Sequence, residues 1–429
     1  MLGIEFVRDN FETVKNDLEK RGQTEKIPWL KELIDLDKKR RQLINDVNKI
    51  RNQRNILTSE IEKLKIEKKD FKLKISEAKQ LPEKIKELDR QLLEAKNRIN
   101  YCLMRIPNVL HESVPVGVDD SCSQLVREWG GKPKPSFELK HHRDILLDLG
   151  GVDFERAVKI SGSGFYYLKG EVALLSLSAQ RFAIDYLIKK GFTLVQPPAM
   201  MHKEFYQGVV DLQDFEDVMY KIDGSDNYLI ATAEHPLAAM YSNEILEDSD
   251  LPIKLVGFST NFRKEIGKHG LDERGLFRVH QFDKIEQFVF CKPEDSWKIF
   301  EELSANTEEI HKALEIPYRI VNVCTGDMGS IASKKYDIEG YSPREDKYIE
   351  LGSCSNCTDY QARRLNIKYR AGLEKEFVHT LNNTAFVIPR PMRLLMELNQ
   401  LEDGSVKIPK VLQPYMNGLK ELKPKAKKV

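Results

Sequence analysis

The sequence has few cysteines, no long apolar run and almost no net charge, and each shortage excludes something. Six cysteines in 429 residues, at 102, 122, 291, 324, 354 and 357, are too few for a disulfide scaffold and fit free thiols in a reducing cytosol. Cys354 and Cys357 make one CxxC, but no second pair and no suitably spaced histidine completes a zinc site. No run of 18 apolar residues occurs, and MLGIEFVRDN lacks the apolar centre of a secretory leader. The sequence therefore predicts neither a membrane span nor a secretory signal, and a cytoplasmic location. The formal net charge is +1, which excludes a chain that is basic or acidic throughout.

That average hides a contrast. Residues 35–105 carry 20 Lys and Arg against 12 Asp and Glu, an excess of +8 that leaves −7 for the remainder. A basic segment on an acidic body suits a polyanionic partner docked at one end. Within it, Leu43, Val47, Ile50, Leu57, Ile61 and Leu64 form one apolar stripe, and Ala78, Leu81, Ile85, Leu88, Leu92, Ala95 and Ile99 form another. Steps of 3, 4 and 7 are the seam of a coiled coil, so two long helices folded back as an antiparallel hairpin are expected, with the polar residues 65–74 at the tip. Pro82 should mark the start of the second helix or a kink in it. Two readings remain for this hairpin: a dimerising coiled coil with solvated charges, or an arm lying along nucleic-acid phosphates. Lys68, Lys69, Lys72 and Lys74 near the tip favour the arm. The stretch 106–120, IPNVLHESVPVGVDD, then reads as a Pro/Gly-punctuated connection to a mixed α/β domain.

Three constellations follow. In FRKEIGKHGLDERGLFRVHQFDKIEQF (262–288), strand alternation sets Arg263 and Glu265 on one face, with Phe262 on the other. It likewise sets Arg278, His280, Phe282 and Glu286 together, with Phe277, Val279 and Ile285 towards a core. A loop with glycines at 267, 270 and 275 joins the two strands. A ligand with phosphates, a planar base and an ammonium group would satisfy those cations, that ring and those carboxylates. A surface hairpin with cross-strand ion pairs is the alternative. In YLIATAEHPL (228–237), Thr232 and Glu234 offer a hydroxyl and a carboxylate, or simply end a strand before a helix cap. In YIELGSCSNCTDYQARR (348–364), Glu350 and Ser353 are three apart, so a bulge near Gly352 is needed to turn both inward. Such a pair could hold Mg²⁺; a strand running into a polar turn is the bland alternative. Further on, Arg390 follows the polar triplet Asn382, Asn383 and Thr384 at a strand-to-helix junction, where an Arg can clamp phosphate or merely meet solvent.

In their order along the chain these stretches resemble the seryl-tRNA synthetases, which are class II aminoacyl-tRNA synthetases, over essentially the full length and in the style of the eukaryotic cytosolic branch. MLGIEFVRDN is similar to the family's opening and SGSGFYYLKGEVALL to the entry into its catalytic domain. GFTLVQPPAM resembles motif 1, FRKE with RGLFRVHQF resembles motif 2, and NTAFVIPR resembles motif 3. TAEH and ELGSCSNCTDYQARR are similar to stretches specific to this family.

The resemblance implies an α+β chain. An N-terminal tRNA-binding domain (1–110) would carry a coiled-coil arm over about 35–105. A linker (111–125), a class II catalytic domain of antiparallel sheet flanked by helices (126–418) and a basic tail (419–429) would follow. It implies a homodimer, serine, ATP and Mg²⁺, and a tRNA whose long variable arm is gripped by the helical arm. Arg263, Glu350 and Arg390 would be catalytic. Arg263 would hold the ATP α-phosphate and the serine carboxylate, Glu265 the adenine amino group and Phe282 the adenine ring. Arg278 and Arg390 would meet the γ-phosphate end, with Lys264, Val279, His280, Gln281, Leu351 and Gly352 completing the ATP site. Thr232, Ala233, Glu234 and Glu286 would receive serine, with Asn382 or Thr384 reading its hydroxyl. Glu350 and Ser353 would be the Mg²⁺ ligands.

The chain departs from the family where Glu397 is followed by Leu398, Asn399 and Gln400, and where Asn383 and Thr384 replace a Gly-Ser pair. Competing readings are a catalytically inactive synthetase-like paralogue acting as an RNA- or protein-binding module, a class II synthetase for another amino acid, and a structural coiled coil. Retention of Arg263, Glu265, Arg278, Glu286, Glu350 and Arg390 argues against the first, the basic hairpin and TAEH against the second, and the second domain against the third. The C-terminal KELKPKAKKV reads as a solvated, disordered tail, with tRNA docking or nuclear import as alternatives.

Overall fold

The structure is a computed structural model that describes residues 1–211, 216–265, 276 and 278–425. Gly267, Gly270, Gly275 and Phe277 lie outside the described residues, as do 426–429. The chain forms two compact units, Met1–Pro107 and Asn108–Val429.

The first unit is helical. Helix α1 (Ile27–Ile66) and helix α2 (Lys72–Leu103) run antiparallel, joined by a turn in which Lys68 has φ 55°. Forty residues at about 1.5 Å each make α1 roughly 60 Å long. Every residue of the two expected stripes is buried or half-buried, with Leu43, Val47 and Leu57 of α1 and Leu81, Ala95 and Ile99 of α2 covered most completely. Ion pairs cross the seam at Glu32–Arg98 (2.6 Å), Arg51–Asp89 (3.0 Å) and Glu60–Lys74. Pro82 neither starts α2 nor ends it, since the helix begins ten residues earlier and continues past it. Pro82 is exposed, so water can reach the carbonyl that its missing N–H leaves unbonded. At the base, Val7, Val14 and Leu18 of two short helices are buried with Leu30 and Leu33. There the buried carboxylate of Asp37 is held by Arg8, Arg40 and Arg41.

The second unit is built on a sheet whose strands, in chain order, are β1 (Gln124–Trp129), β2 (Thr193–Val195), β3 (Ile253–Phe262), β4 (Gln281–Cys291), β5 (Tyr318–Asn322), β6 (Lys334–Ser342), β7 (Lys347–Asn356) and β8 (His379–Val387). Their spatial order is β1-β5-β6-β7-β8-β4-β3-β2, antiparallel throughout except for the β2–β3 edge. This matches the expected class. Helices α3 (Gly170–Lys189) and α5 (Ser296–Ala313) cover one face, and α4 (Glu234–Ala239) packs on the other. Alternation sorts the side chains. Ile285, Val289 and Cys291 of β4 join the core with Leu303 and Ile310 of α5, whereas Phe288 and Phe290 join a second cluster with Ala233, Leu237 and Leu255. Helix α6 (Pro389–Asn399) follows β8 at once, with Pro389 in its first turn, where a missing N–H costs nothing.

The tail expected to be disordered from Lys420 is structured as far as Lys425. Glu421–Leu422 pairs with Val406–Lys407, Leu422 is buried, and the Lys425 N–H donates to the Asp148 carbonyl at 2.9 Å. Leu419 and Leu422 supply apolar anchors that the flanking lysines mask in a reading by charge.

Candidate active site

One cavity of about 510 Å³ collects most of the residues singled out from sequence. It is lined by Thr232 and Glu234, by Arg263, Glu265, Arg278, Val279 and Phe282, by Glu350, Leu351, Gly352 and Ser353, by Asn382 and Thr384, and by Arg390. These belong to four separate stretches of chain, and the sheet brings them to one face.

The local reasons differ from simple strand alternation. Strand β3 ends at Phe262 and β4 begins at Gln281, so Arg263, Glu265 and Arg278 lie beyond the strand ends. Arg263 still pairs across the sheet, its N–H donating to the His280 carbonyl at 2.9 Å. Glu265 then turns sharply, with φ 45°, and its carboxylate meets Arg278 at 3.3 Å. His280 departs from its expected face. Its ring stacks on Phe165 with centroids 5.4 Å apart, and its Nδ1 sits 2.9 Å from both the Tyr220 hydroxyl and the Arg263 carbonyl. It braces the backbone that carries Arg263. Val279, expected to face away, lines the cavity, because the alternation assumed for 278–280 belongs to a strand that has not yet begun. Lys264, Ala233 and Gln281 are not among the lining residues, and Gln281 is exposed.

Within β4 the parity does hold. Phe282, Lys284 and Glu286 share a face, and the Arg263 guanidinium lies 5.2 Å from the centre of the Phe282 ring. Glu286 is fully buried behind Thr232, whose hydroxyl donates to it at 3.4 Å. Lys284 was not anticipated, although the parity that selected Phe282 and Glu286 also selects it. Its ammonium pairs with the Glu286 carboxylate and donates to the Thr232 hydroxyl at 3.2 Å. The second Glu286 oxygen, Oε1, is buried with no hydrogen-bond partner among the described residues. Thr232 follows a short strand, and the Glu234 N–H at the start of α4 donates to its hydroxyl at 3.3 Å, so this stretch is both a helix entry and part of the cavity. The Glu234 side chain accepts from Gln361 at 3.0 Å.

On β7 the bulge is present. The register with β6 passes from Ile338↔Gly352 to Glu339↔Glu350, leaving Leu351 as the extra residue. Glu350 and Ser353 consequently face the same side, with the Ser353 hydroxyl 3.5 Å from Glu350 Oε1. A Cβ on Gly352 would stand 2.6 Å from the Thr384 Cβ, so only glycine lets β7 approach β8 here. Arg390, at the start of α6, donates to the Glu350 carbonyl at 2.7 Å and to its carboxylate at 3.1 Å. On β8, Asn382 and Thr384 line the cavity, whereas Asn383 turns the other way, donating to the Leu303 carbonyl and, at 2.9 Å, to the Thr307 hydroxyl of α5. Lys335 on β6, which alternation had not been applied to, also lines the cavity, 3.4 Å from Asp337.

The electrostatics separate the two ends of this cavity. Burial, reinforced by the charge of Glu286, pushes the Glu234 carboxyl up to about 7. Burial also raises Glu286, against the pull of Lys284, Thr232 and Arg263. Burial would raise Glu350 too, but Arg390, Lys335 and Arg263 prevail and hold it below the usual carboxylate range. Arg263 is lowered by burial, with Arg390 acting in the same direction against the neighbouring carboxylates. One end thus holds carboxylates that lack enough positive charge. The other holds arginines gathered around one carboxylate. Among the described residues no group of three or more His, Cys, Asp or Glu is placed to hold a metal ion.

Comparison with known proteins places the chain in a family. Residues 1–110 match the family model of the seryl-tRNA synthetase N-terminal domain, and residues 219–399 match the class II tRNA synthetase core domain (G, H, P, S and T). A serine–tRNA ligase of Methanocella arvoryzae is 53% identical over 98% of this chain and 100% of its own length. The crystal structure of the Pyrococcus horikoshii seryl-tRNA synthetase complexed with ATP superposes with a TM-score of 0.93 at 46% identity, covering 99% of this chain and 100% of that one. The cytoplasmic serine–tRNA ligase of Naegleria fowleri in complex with AMP gives a TM-score of 0.89 at 36% identity, covering 99% of both chains. The expected eukaryotic affiliation is not supported, since the relatives at 46 to 54% identity are archaeal. Matched over nearly its whole length by relatives with about half its residues in common, the chain belongs to the seryl-tRNA synthetases.

Proposed function

We propose that the protein is a serine–tRNA ligase, which activates serine with ATP and transfers it to the 3′ end of serine tRNA. The observation that carries this reading is the pairing, in one cavity, of an arginine-rich end (Arg263, Arg278, Arg390) with two carboxylates, half-buried Glu234 and, behind Thr232, buried Glu286. A nucleoside triphosphate supplies the anions that the first lacks, and an amino acid ammonium supplies the cation that the second lacks. The unpartnered Oε1 of Glu286 is the acceptor for that ammonium. Phe282 offers its ring to the adenine and Glu265 a carboxylate to the adenine amino group, while Asn382 and Thr384 offer donors and acceptors to the serine hydroxyl.

The chemistry follows. The serine carboxylate attacks the ATP α-phosphorus and pyrophosphate leaves, giving seryl-adenylate. No general base is needed, because the nucleophile is already ionised. Arg263 orients the carboxylate and stabilises charge on the α-phosphate, and Arg278 and Arg390 hold the departing phosphates. A terminal ribose hydroxyl of the tRNA then attacks the adenylate, and AMP leaves. Glu350 and Ser353, two oxygen donors on one side of β7, would hold Mg²⁺, and the ion would supply positive charge to the phosphates.

The basic hairpin is assigned to the long variable arm of the tRNA, within an N-terminal binding domain of about 1–110, and the protein acts as a cytoplasmic homodimer. Exposed Leu177, Leu194 and Met200, around the motif 1 stretch, support the dimer contact. The test is charging. Serine should be attached to tRNA with a long variable arm at least about a hundredfold faster than to tRNA with a short one. Equal charging of both would overturn the assignment of the hairpin.

A further inference from the structure

The cysteines have no part in the proposed chemistry, and all six are free. Cys102, Cys291, Cys354 and Cys357 are buried, Cys354 and Cys357 near each other, whereas the half-buried Cys122 meets Cys324. A Cβ built on Gly117 would lie 2.8 Å from the Cys122 Sγ and 3.2 Å from the Cys324 Sγ. The two sulfurs are therefore within about 6 Å of each other, over a glycine that leaves them room. A second constraint agrees. The Asp119 carbonyl accepts both the Cys324 thiol at 2.9 Å and the Cys122 N–H at 3.1 Å. The β1–β5 register begins at Gln124↔Asn322, and two further residues along that line set Cys122 against Cys324. Both cysteines lie just past the end of that ladder, Cys122 in the turn 120–122 that precedes β1 and Cys324 two residues beyond β5, so the last ladder pair holds the two turns side by side.

We propose that Cys122 and Cys324 are a peroxide-responsive pair that closes into a reversible intrachain disulfide. Cys122 is half-buried and meets the oxidant first, while Cys324 is fully buried and serves as the resolving thiol. The Cys122 thiolate attacks a hydroperoxide oxygen, giving a sulfenic acid and releasing hydroxide, which is protonated to water. The Cys324 sulfur then attacks the Cys122 sulfur and a second water leaves. Two thiols are oxidised and one peroxide is reduced to two waters.

The bond would join two segments that are already laced together. The Thr325 N–H donates to the Pro115 carbonyl at 3.0 Å, the Gly117 N–H to the Thr325 hydroxyl at 3.1 Å and the Cys324 N–H to the Ser123 hydroxyl at 3.2 Å. Residues 329–332, a few positions beyond Cys324, line the cavity. The staple thus secures an early segment of the second unit to the base of a cavity-lining loop.

The test treats the reduced full-length protein with hydrogen peroxide under native conditions, then counts thiols and maps peptides by mass. The expected result is loss of two thiols, a Cys122–Cys324 linked peptide, full reversal by dithiothreitol, and melting raised by about 5 °C while the bond is closed. Cys122→Ser and Cys324→Ser should each abolish the linked peptide and the melting shift. Survival of all six thiols, accumulation of Cys122 sulfinic acid beside a free Cys324, or a linkage to any other cysteine would overturn the proposal. These readouts need neither ATP nor tRNA, so they stand apart from the enzymatic reading.

Discussion

Lys284 shows what a single buried charge does in this site. It is the ammonium nearest to two carboxylates that burial would otherwise neutralise, and it sits where a substrate ammonium is also expected. Replacing it with Met leaves Glu286 buried without its cation. We expect Lys284→Met to lose about 3 kcal/mol in chemical denaturation and to raise the serine KM at least tenfold, with the ATP KM little changed. Wild-type stability and an altered ATP KM alone would contradict this. The same environment gives a pH dependence. The groups facing Glu234 are Glu286, Lys284, Gln361 and Arg263; burial and the Glu286 charge raise its carboxyl from 4.5 to about 7 against the opposing pull of Lys284, Gln361 and Arg263. A folded-state pKa above the unfolded one stabilises fully below pH 4.5, and that contribution is lost as pH rises to about 7. Serine binding runs the opposite way, because the ammonium needs the ionised carboxylate. Serine affinity should therefore weaken as pH falls below about 7, with proton release on binding measurable by titration calorimetry in buffers of different ionisation enthalpy. Glu234→Gln should remove both the proton release and the stability slope. Asn383 and Lys284 also show where reading by residue type fails. Chemistry alone cannot separate Asn382 from Asn383, whereas strand parity does, and parity applied to every residue of β4 would have found Lys284.

At the scale of the element, the bulge at Leu351 is the feature on which the site most depends. Without it Glu350 and Ser353 would face opposite sides. Its need was legible, because two polar residues three apart and followed through Gly352 make no sense on a straight strand. The ends of β3 and β4 were not legible. Arg, Glu and aromatic residues continue the alternating pattern past the last ladder hydrogen bonds, so Arg263, Arg278 and His280 were assigned to strands they only adjoin. Gly352→Ala should cost about 1–3 kcal/mol, seen as a lower melting temperature, because Thr384 is in the way of the new methyl group. The hairpin was legible almost entirely, since a seam with 3-and-4 spacing survives any local uncertainty. Its start was not, because Ile27 to Ile34 belong to the base packing as much as to the seam. Replacing residues 43–92 with a short Gly-Ser turn keeps the Glu32–Arg98 pair at the base. That variant should retain adenylate formation and lose tRNA charging. Equal loss of both activities in a folded protein would contradict the role given to the arm.

The whole molecule consists of two compact units, Met1–Pro107 and Asn108–Val429. The helical unit offers length and positive charge, and the sheet unit offers the cavity. The division was visible in charge and periodicity, whereas the closing of the C-terminal segment onto the sheet unit was not, because lysines outnumber its two anchoring leucines. The central claim is that the cavity joins serine to ATP, and serine-dependent ATP–pyrophosphate exchange tests it most directly. Alanine, threonine and glycine should be assayed alongside, with Arg263→Ala as the control. The account predicts exchange with serine alone, reduced about 10²–10³-fold by Arg263→Ala in a protein that remains folded. Exchange with no amino acid, or undiminished exchange in the variant, would contradict it.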